Sequence, residues 1–130
     1  MRIGLDTTHN CWHGSYSSFE HWRNTIAEAA GYKLVEDDWG WKCADIDWEK
    51  YQNNLLGNWK ETPSDPLLVL IAHSDCDGFI YPDQALPLAN RLEDVLKNLT
   101  SDKGWIVDAT NQFIAGLRNA HKRNQKVGFD

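Results

Sequence analysis

The sequence predicts an α/β domain in which a small, at least partly parallel sheet of two to four strands is covered by about four helices. One observation is the continuous apolar run over residues 67–72, which is typical of a strand buried on both faces. A second is that several segments repeat apolar residues every three or four positions, as amphipathic helices do. The third is the predicted order strand, helix, helix, strand, helix, helix, which is the pattern of an α/β fold.

The first part of the chain is predicted to form a strand, a polar loop and a helix. Weak alternation of apolar residues indicates a strand over residues 2–7. The polar, glycine-containing stretch that follows indicates a loop. A helix is expected over residues 18–30, because Ser17 and Glu20 match a capping box and Gly31 provides a stop.

The middle of the chain is predicted to hold a short strand over residues 32–35 and a second helix that Asp45 caps. Four large side chains at helical spacing support this helix: Trp48, Tyr51, Leu55 and Trp59. Residues 61–66 contain two prolines and are predicted to form a loop.

The second half of the chain starts with the strand predicted over residues 67–72. A helix is expected after Pro87, since proline suits the first turn of a helix. The apolar stripe of this helix consists of Leu88, Leu92, Val95, Leu96 and Leu99. A last helix is predicted over residues 106–122, and residues 127–129 are expected to add a short terminal strand.

The composition indicates a single globular domain over residues 1–130 and argues against several kinds of partner. With 13 basic and 19 acidic residues the formal charge is −6, so binding to nucleic acid or to an anionic membrane is not expected. Three cysteines are too few for a disulfide framework, which favours a reducing compartment. A cytoplasmic location is expected, because no stretch reaches the ~20 apolar residues of a membrane span and the N-terminus does not resemble a signal peptide.

Two polar segments, residues 7–15 and residues 73–78, directly follow the two best-defined predicted strands. Ligands of open α/β sheets bind beyond the carboxyl ends of the strands, so two parallel neighbouring strands would bring these segments together. The sequence therefore predicts one shared site. Its predicted ligand-binding residues are His9, Asn10, Trp12, His13, Gly14, Ser15, Ser17, Arg23, His73, Ser74, Asp75 and Asp77.

Four segments give the chain a resemblance to a family of short bacterial and phage proteins. They are THNCW at residues 8–12, FEHWR at 19–23, LLVLIAHSDCDG at 67–78 and FIAGLR at 113–118. The resemblance covers most of the chain and implies a bacterial or phage origin, but it brings no activity or catalytic residue with it. It also prompts one hypothesis, which is that the protein sequesters a nucleotide-derived immune signal of a host.

The leading functional hypothesis is non-catalytic binding of a small phosphate-bearing, nucleotide-derived ligand. A glycine and serines at a helix start can hold a phosphate, because backbone N–H groups and the helix dipole point at the anion. Arg23 lies one turn into this helix, where it is expected to reach the same anion. Trp12, Trp39 and Trp41 lie in irregular segments and can stack on a base. The structural alternative is that Ser17 only caps the helix and the tryptophans belong to the core.

The main alternative is a hydrolase or phosphodiesterase that uses His73, Asp75 and Asp77 together with His9 or His13, with or without a metal ion. The spacing of these residues matches no standard metal motif, and no metal or cofactor is assigned. The same side chains can instead be structural, as a buried histidine and turn-capping aspartates.

Two further interpretations remain open at this point. Cys11 and Cys76 are candidate nucleophiles beside the histidines, or alternatively small buried side chains. A third class of function is a protein-interaction module, in which exposed tryptophans bind a partner or a second copy of the chain as a homo-oligomer.

Overall fold

The computed structural model describes residues 4–36, 38, 40, 42–51, 59, 61–73, 78–99 and 104–129, and these residues form the predicted mixture of helices and strands. The four α-helices of this part of the chain are α1 (Tyr16–Ala29), α2 (Leu68–Ile71), α3 (Pro82–Leu96) and α4 (Gly104–Lys122). Its strands are β1 (Gly4–Asp6), β2 (His13–Ser15), β3 (Leu34–Glu36), β4 (Lys42–Ala44), β5 (Phe79–Ile80) and β6 (Val127–Gly128). None of the described helices is long and apolar enough to cross a membrane.

The described strands form three two-stranded antiparallel sheets, β1–β2, β3–β4 and β5–β6. The prediction of an at least partly parallel sheet is therefore wrong for these residues. Only residues 7–12, which contain a 3₁₀ turn, join β1 to β2. This connection is too short for the crossover of a dozen or more residues that parallel strands require.

Residues 67–72, predicted to be a strand, instead form the short helix α2 and its flanking turns. Every residue of this run is buried, which is the property that suggested a strand. A continuous apolar run fits a buried helix as well as a buried strand. The preceding Asp65 favours the helix, because its Oδ1 accepts the Leu67 N–H at 3.0 Å and its carbonyl accepts the Leu68 N–H at 3.1 Å.

Helix α1 begins at Tyr16, two residues earlier than predicted. The reason is that Ser15, rather than Ser17, is its N-cap. The Ser15 Oγ accepts the Ser18 backbone N–H at 3.1 Å, which satisfies one of the donors that a helix start leaves unpaired.

Helix α3 begins at Pro82 and not after Pro87, so the predicted start is wrong. The Gln84 side chain turns back to accept the Tyr81 backbone N–H at 3.2 Å, which fixes the earlier start. Pro82 occupies the first helical position, where its missing N–H is no loss, and Pro87 lies inside the helix.

The remaining predicted elements are observed in part. The strands predicted over residues 2–7 and 32–35 correspond to β1 and β3, and the last predicted helix and terminal strand correspond to α4 and β6. Residues 48–51 of the helix predicted after Asp45 form turns, whereas residues 52–58 lie outside the described residues.

Five buried aromatic rings, which we call the aromatic cluster, join the N-terminal loop, α1, α4 and the C-terminal segment. Trp22 on α1 packs against Trp12 and against Phe113 on α4, with ring centroids 5.3 and 4.9 Å apart. Phe19 extends these contacts to Trp12 at 5.1 Å and to Phe129 at 6.2 Å. Each buried aromatic removes ~150–250 Å² from water, so this cluster is a main source of hydrophobic stabilisation.

Strand β6 lies between two segments that are far apart in sequence. On one edge Thr7 forms a bridge with Phe129, and the Thr8 hydroxyl accepts the Gly128 N–H at 2.8 Å. On the other edge β6 pairs with β5, and the Gly78 carbonyl accepts the Phe129 N–H at 2.9 Å. The C-terminal segment therefore connects the β1 side of the fold to the β5 side.

Replacing Phe129 with alanine is expected to lower the free energy of unfolding by about 3–5 kcal/mol, the usual cost of truncating a buried phenylalanine. Phe79 in the paired strand is the matched control, because it is 41% exposed. Phe79→Ala is expected to cost less than about 1 kcal/mol. Urea unfolding of the three proteins measures both changes, and equal losses would contradict the role given to Phe129.

Asp65 connects the loop before α2 to α3 and to the segment after α1. Its carboxylate accepts the Tyr32 hydroxyl at 2.6 Å and Arg91 Nε at 3.0 Å, in addition to the Leu67 N–H. Burial by itself would raise the pKa of this carboxyl group. The hydrogen bonds and the charge of Arg91 outweigh burial, so the pKa of Asp65 is lowered below its ordinary value of 3.8.

This pKa shift predicts a pH-dependent contribution of Asp65 to stability. A carboxyl group whose pKa is lower in the folded state stabilises the fold above its unfolded pKa, and this stabilisation is lost as the pH falls through the folded pKa. The stability difference between wild type and Asp65→Asn should therefore be largest near neutral pH and shrink in acid. Urea unfolding at a series of pH values measures it, and a difference that grows in acid would rule out this linkage.

Candidate functional site

Parts of the two polar segments predicted to share a pocket contact opposite edges of the C-terminal strand. Thr7 and Thr8 of the first segment contact one edge, and Gly78 of the second, together with β5, contacts the other. The backbone of β6 and Phe129 therefore lies between residues 7–8 and residue 78. In the described part of the chain, the parallel-strand arrangement behind the predicted shared site is not present, because the strands pair antiparallel.

His73 is packed into the fold after α2. It is 2% exposed, its Nε2 lies 2.9 Å from the Phe79 carbonyl oxygen, and its ring lies 4.3 Å from the ring of Phe129. Because a carbonyl oxygen only accepts, Nε2 carries the proton in this hydrogen bond. The residues that follow His73 lie outside the described residues: Ser74, Asp75, Cys76 and Asp77.

His9 and Asn10 belong to the 3₁₀ turn and contact α4. His9 Nδ1 lies 2.9 Å from Asn119 Nδ2, and the Asn10 carbonyl accepts Gln112 Nε2 at 2.9 Å. Both turn residues have positive φ angles, 60° and 56°, which bend the chain sharply after β1. This bend leads the chain back into β2.

Arg23, predicted to reach an anion at the start of α1, is turned into the fold and is 7% exposed. It donates to the Glu20 carboxylate at 2.6 Å and to the carbonyls of Leu70 and His73 at 3.3 and 2.7 Å. Its guanidinium carbon also lies 4.6 Å from the centre of the Phe19 ring. These contacts join α1 to α2 and direct the charge away from the helix start.

The serine-rich turn satisfies much of its own hydrogen bonding. Besides capping α1, the Ser15 hydroxyl donates to Ser18 Oγ at 2.8 Å and lies 3.3 Å from Ser17 Oγ. The predicted capping role is therefore real, but it belongs to Ser15 and not to Ser17.

A cavity of about 380 Å³, which we call the tryptophan pocket, is lined by residues of the β2 segment, α1 and α4. Its lining consists of Trp12, His13, Gly14, Ser18, Trp105, Asp108, Ala109 and Gln112. Three of these residues, Trp12, His13 and Gly14, are among those predicted to bind a ligand. The structure thus brings part of the first polar segment to a pocket whose described lining includes no residue of the second segment.

Trp12 places a buried hydrogen-bond donor at the wall of this pocket. The residue is 6% exposed, and its Nε1 has no hydrogen-bond partner among the described residues. Buried indole N–H groups usually have a partner, and an unpaired one costs about 1–3 kcal/mol. The indole edge of Trp12 faces the Cβ position that Gly14 lacks, with Nε1 nearest to it at 3.4 Å.

The α4 side of the pocket offers an aromatic ring and two acceptors. Trp105 is 48% exposed and stacks on His21, with centroids 5.7 Å apart and planes 24° apart. Asp108 contributes an exposed carboxylate. Gln112 donates through Nε2 to the Asn10 carbonyl, which leaves its Oε1 as an acceptor.

This α4 side was not anticipated from the sequence. Trp105, Asp108 and Gln112 are spaced by three and four residues, on the side of the helix away from its buried face. Such a stripe usually marks the solvated face of an amphipathic helix. Trp105, a large aromatic residue on this polar face, was the sequence feature that could have indicated a binding surface.

Cys11 is fully buried beneath the 3₁₀ turn. Burial raises the pKa of its thiol to about 12, although a hydrogen bond with Thr7 acts in the opposite direction. A nucleophilic cysteine requires a thiolate, so this environment does not favour catalysis by Cys11.

No metal-binding arrangement is found within the described ranges. No three His, Cys, Asp or Glu side chains come together there as potential ligands of a metal ion. Two of the tryptophans considered for stacking, Trp39 and Trp41, lie outside those ranges.

A larger groove of about 750 Å³ runs along the outer face of α1 beside β4. Several of its polar groups bond within the fold. Asn24 Nδ2 donates to the Lys42 carbonyl at 2.9 Å, the Thr25 hydroxyl donates to the His21 carbonyl at 2.9 Å, and Glu20 accepts from Arg23. This groove therefore gives a weaker indication of a ligand than the unpaired donor of the tryptophan pocket does.

Comparison of the chain with family models, with curated proteins and with solved structures finds no significant match. The resemblance to short bacterial and phage proteins stays a prediction. The tryptophan pocket is therefore interpreted from its own geometry, in which a fixed donor, several acceptors and an exposed indole surround one cavity.

Proposed function

We propose that this protein binds a small ligand built on a planar heterocyclic ring, of the nucleotide-derived class, in the tryptophan pocket and leaves it chemically unchanged. The cavity of about 380 Å³ falls within the ~300–1,000 Å³ range of small-molecule pockets. The observation that carries the proposal is the unpartnered Trp12 Nε1 beside Gly14, which carries no side chain to cover the indole edge.

A ring nitrogen or carbonyl oxygen of the ligand would satisfy the Trp12 donor. That acceptor would have to lie at the ordinary hydrogen-bond distance of ~2.9 Å from Nε1, on the side where Gly14 carries no side chain. The aromatic cluster already fixes the Trp12 ring, so little side-chain entropy is lost when this bond forms.

Trp105 supplies the surface on which a planar ring would stack. Its indole is half exposed and is held on one side by His21, so it is oriented before a ligand arrives. Stacking of a base on an aromatic side chain contributes ~1–3 kcal/mol. Together with the Trp12 hydrogen bond, this contact favours a planar, hydrogen-bonding ring over a purely apolar ligand.

A phosphate on such a ligand would lie toward the first turn of α1. Ser18 lines the pocket there, and the N–H groups and dipole of a helix start favour an anion. On the α4 side the carboxylate of Asp108 would repel a phosphate. Because Arg23 is held by Glu20 and backbone carbonyls, we expect a nucleotide to bind only slightly more tightly than its nucleoside.

The environments of two predicted catalytic groups, His73 and Cys11, support binding over hydrolysis. The Nε2 proton of His73 is directed at the Phe79 carbonyl, and the raised pKa of Cys11 keeps its thiol protonated. For a protein of phage origin, binding without turnover would take the form of sequestration of a host signal.

Replacing Gly14 with alanine should weaken nucleoside binding by about tenfold or more, because the new methyl group stands against the indole edge and blocks the approach of the ligand's acceptor to Nε1. The fold should tolerate this methyl group, since 3.4 Å to Nε1 is an ordinary van der Waals contact. Gly104→Ala is the matched control, because no described atom lies within 4 Å of its Cβ position. Isothermal titration with guanosine, adenosine, cytidine and uridine measures binding, and thermal unfolding checks the fold.

Loss of binding in Gly14→Ala but not in Gly104→Ala, at unchanged thermal stability, is the expected result. If none of the four nucleosides or their monophosphates binds the wild type, the proposed function is wrong.

The absence of turnover has a separate test. The folded protein is incubated with a mixture of nucleotides and cell extract, washed and denatured, and the released compound is analysed by mass spectrometry. We expect an intact compound at about one equivalent per pocket under saturating conditions. Release of a cleaved product, together with loss of the parent compound from the mixture, would favour the hydrolase instead.

A further inference from the structure

We infer that the end of α4 and the adjoining strand β5 form a docking surface for an acidic protein segment that carries an aromatic or aliphatic side chain. The surface consists of Phe79, Tyr81, Lys122, Arg123 and Lys126, and we call it the C-terminal patch. None of these residues lines the tryptophan pocket, so the patch is separate from the proposed ligand site.

The way in which α4 ends determines where Lys126 lies. The Gln125 N–H donates to the Ala120 carbonyl at 2.9 Å, and the Asn124 N–H donates to the His121 carbonyl at 3.1 Å. These two hydrogen bonds form a Schellman turn, and Asn124 has the positive φ angle, 53°, that this turn requires. The turn ends the helix and leads the chain into β6, with Lys126 directly before the strand.

Lys126 lies beside two aromatic side chains of the β5 segment. Its Nζ lies 4.7 Å from the ring centre of Phe79 and 5.4 Å from that of Tyr81. Phe79 is 41% exposed, so the charge is held next to an accessible apolar surface. The last turn of α4 is tied to the same place, because His121 Nδ1 donates to the Pro82 carbonyl at 3.0 Å.

The positive charges of the C-terminal patch are not paired with carboxylates. Lys122, Arg123 and Lys126 are exposed, and none of them forms an ion pair within the described residues. Arg123 donates through Nε to Asn119 Oδ1 at 3.3 Å, which leaves both of its terminal nitrogens as donors. Arg118 on the same helix differs, because it is paired with a glutamate of α3.

The carboxylates of adjoining elements do not balance these three cations. Asp83 in the first turn of α3 forms no ion pair with a described residue, and Asp6 of β1 lies 3.4 Å from a histidine of β2. Cations in the last turn of a helix complement its dipole, which accounts for Lys122 and Arg123. Lys126 lies beyond the helix, so the dipole does not explain a third cation beside an exposed phenylalanine.

These features favour a short acidic protein segment as the partner. The whole chain carries a formal charge of −6, so a long polyanion such as nucleic acid would extend from the patch onto a repelling surface. A short segment can place an apolar side chain on Phe79 while its carboxylates reach Lys126 and Arg123. The guanidinium of Arg123 can hold a carboxylate through two hydrogen bonds.

Fluorescence anisotropy of a short labelled peptide, in which one Phe is flanked by Glu and Asp residues, tests the charge requirement. We expect this peptide to bind at least about tenfold more tightly than a peptide with Lys in place of the acidic residues. Lys126→Glu should weaken binding by about tenfold or more, because a repulsion replaces an attraction. Lys33→Glu is the matched control, since it changes an exposed lysine before β3, which pairs with β4.

The same titration tests the apolar requirement. Exchanging the Phe of the peptide for Ser, or replacing Phe79 with alanine, should each weaken binding by about threefold to tenfold, because apolar contact area is lost. Trp105→Ala is the matched control and should leave peptide binding unchanged. It removes another exposed large hydrophobic side chain, but one that lines the tryptophan pocket.

Thermal unfolding checks that each variant is folded. Equal binding of the acidic and the lysine peptides, or a folded Lys126→Glu variant that binds like the wild type, would overturn the inference. Tighter binding of a labelled oligothymidylate than of the acidic peptide would also overturn it, in favour of nucleic acid. A dimer in light scattering that Lys126→Glu dissociates would assign the surface to a second copy of the chain instead. If Lys126→Glu does not fold, Phe79→Ala and the comparison of the peptides decide.

Discussion

The aromatic cluster is the contact on which both the fold and the candidate site depend. Trp12 packs against Phe19 and Trp22, Trp22 packs against Phe113 on α4, and Phe19 reaches Phe129. These contacts join the N-terminal hairpin, two helices and the C-terminal segment. They also fix the position of the Trp12 ring, so the same packing that stabilises the core places a hydrogen-bond donor at the wall of the tryptophan pocket.

The β1–β2 hairpin completes that wall. Gly4 pairs with Ser15, and a Cβ on Gly4 would overlap the carbonyl of Gly14, so the absence of a side chain allows the two strands to approach closely. Gly14 in turn places no side chain against the edge of the Trp12 indole that carries the nitrogen. The two glycines therefore have different roles. Gly4 permits the strand pairing, and Gly14 leaves the indole edge uncovered by a side chain.

Part of this arrangement could be predicted from the sequence, and part could not. Helices α1 and α4 follow from the regular spacing of their apolar residues, and Trp12, His13 and Gly14 stood out as a polar, aromatic segment after a strand. The run over residues 67–72 is compatible with both a strand and a helix, and the predicted parallel sheet depended on it. Asp108 could not be anticipated, because the pocket exists only once α4 lies beside the hairpin and no local pattern encodes that contact.

The most direct test of the central claim is the NMR signal of the Trp12 indole N–H, since the claim is that this donor is unpaired until a ligand binds. In ¹⁵N-labelled protein, with the signal assigned through Trp12→Phe, we expect it to move downfield when a saturating nucleoside is added. The indole of Trp48 already donates to the Ala44 carbonyl at 2.9 Å, so its signal should stay in place and serve as an internal reference. A Trp12 signal that does not move under saturation would contradict the account.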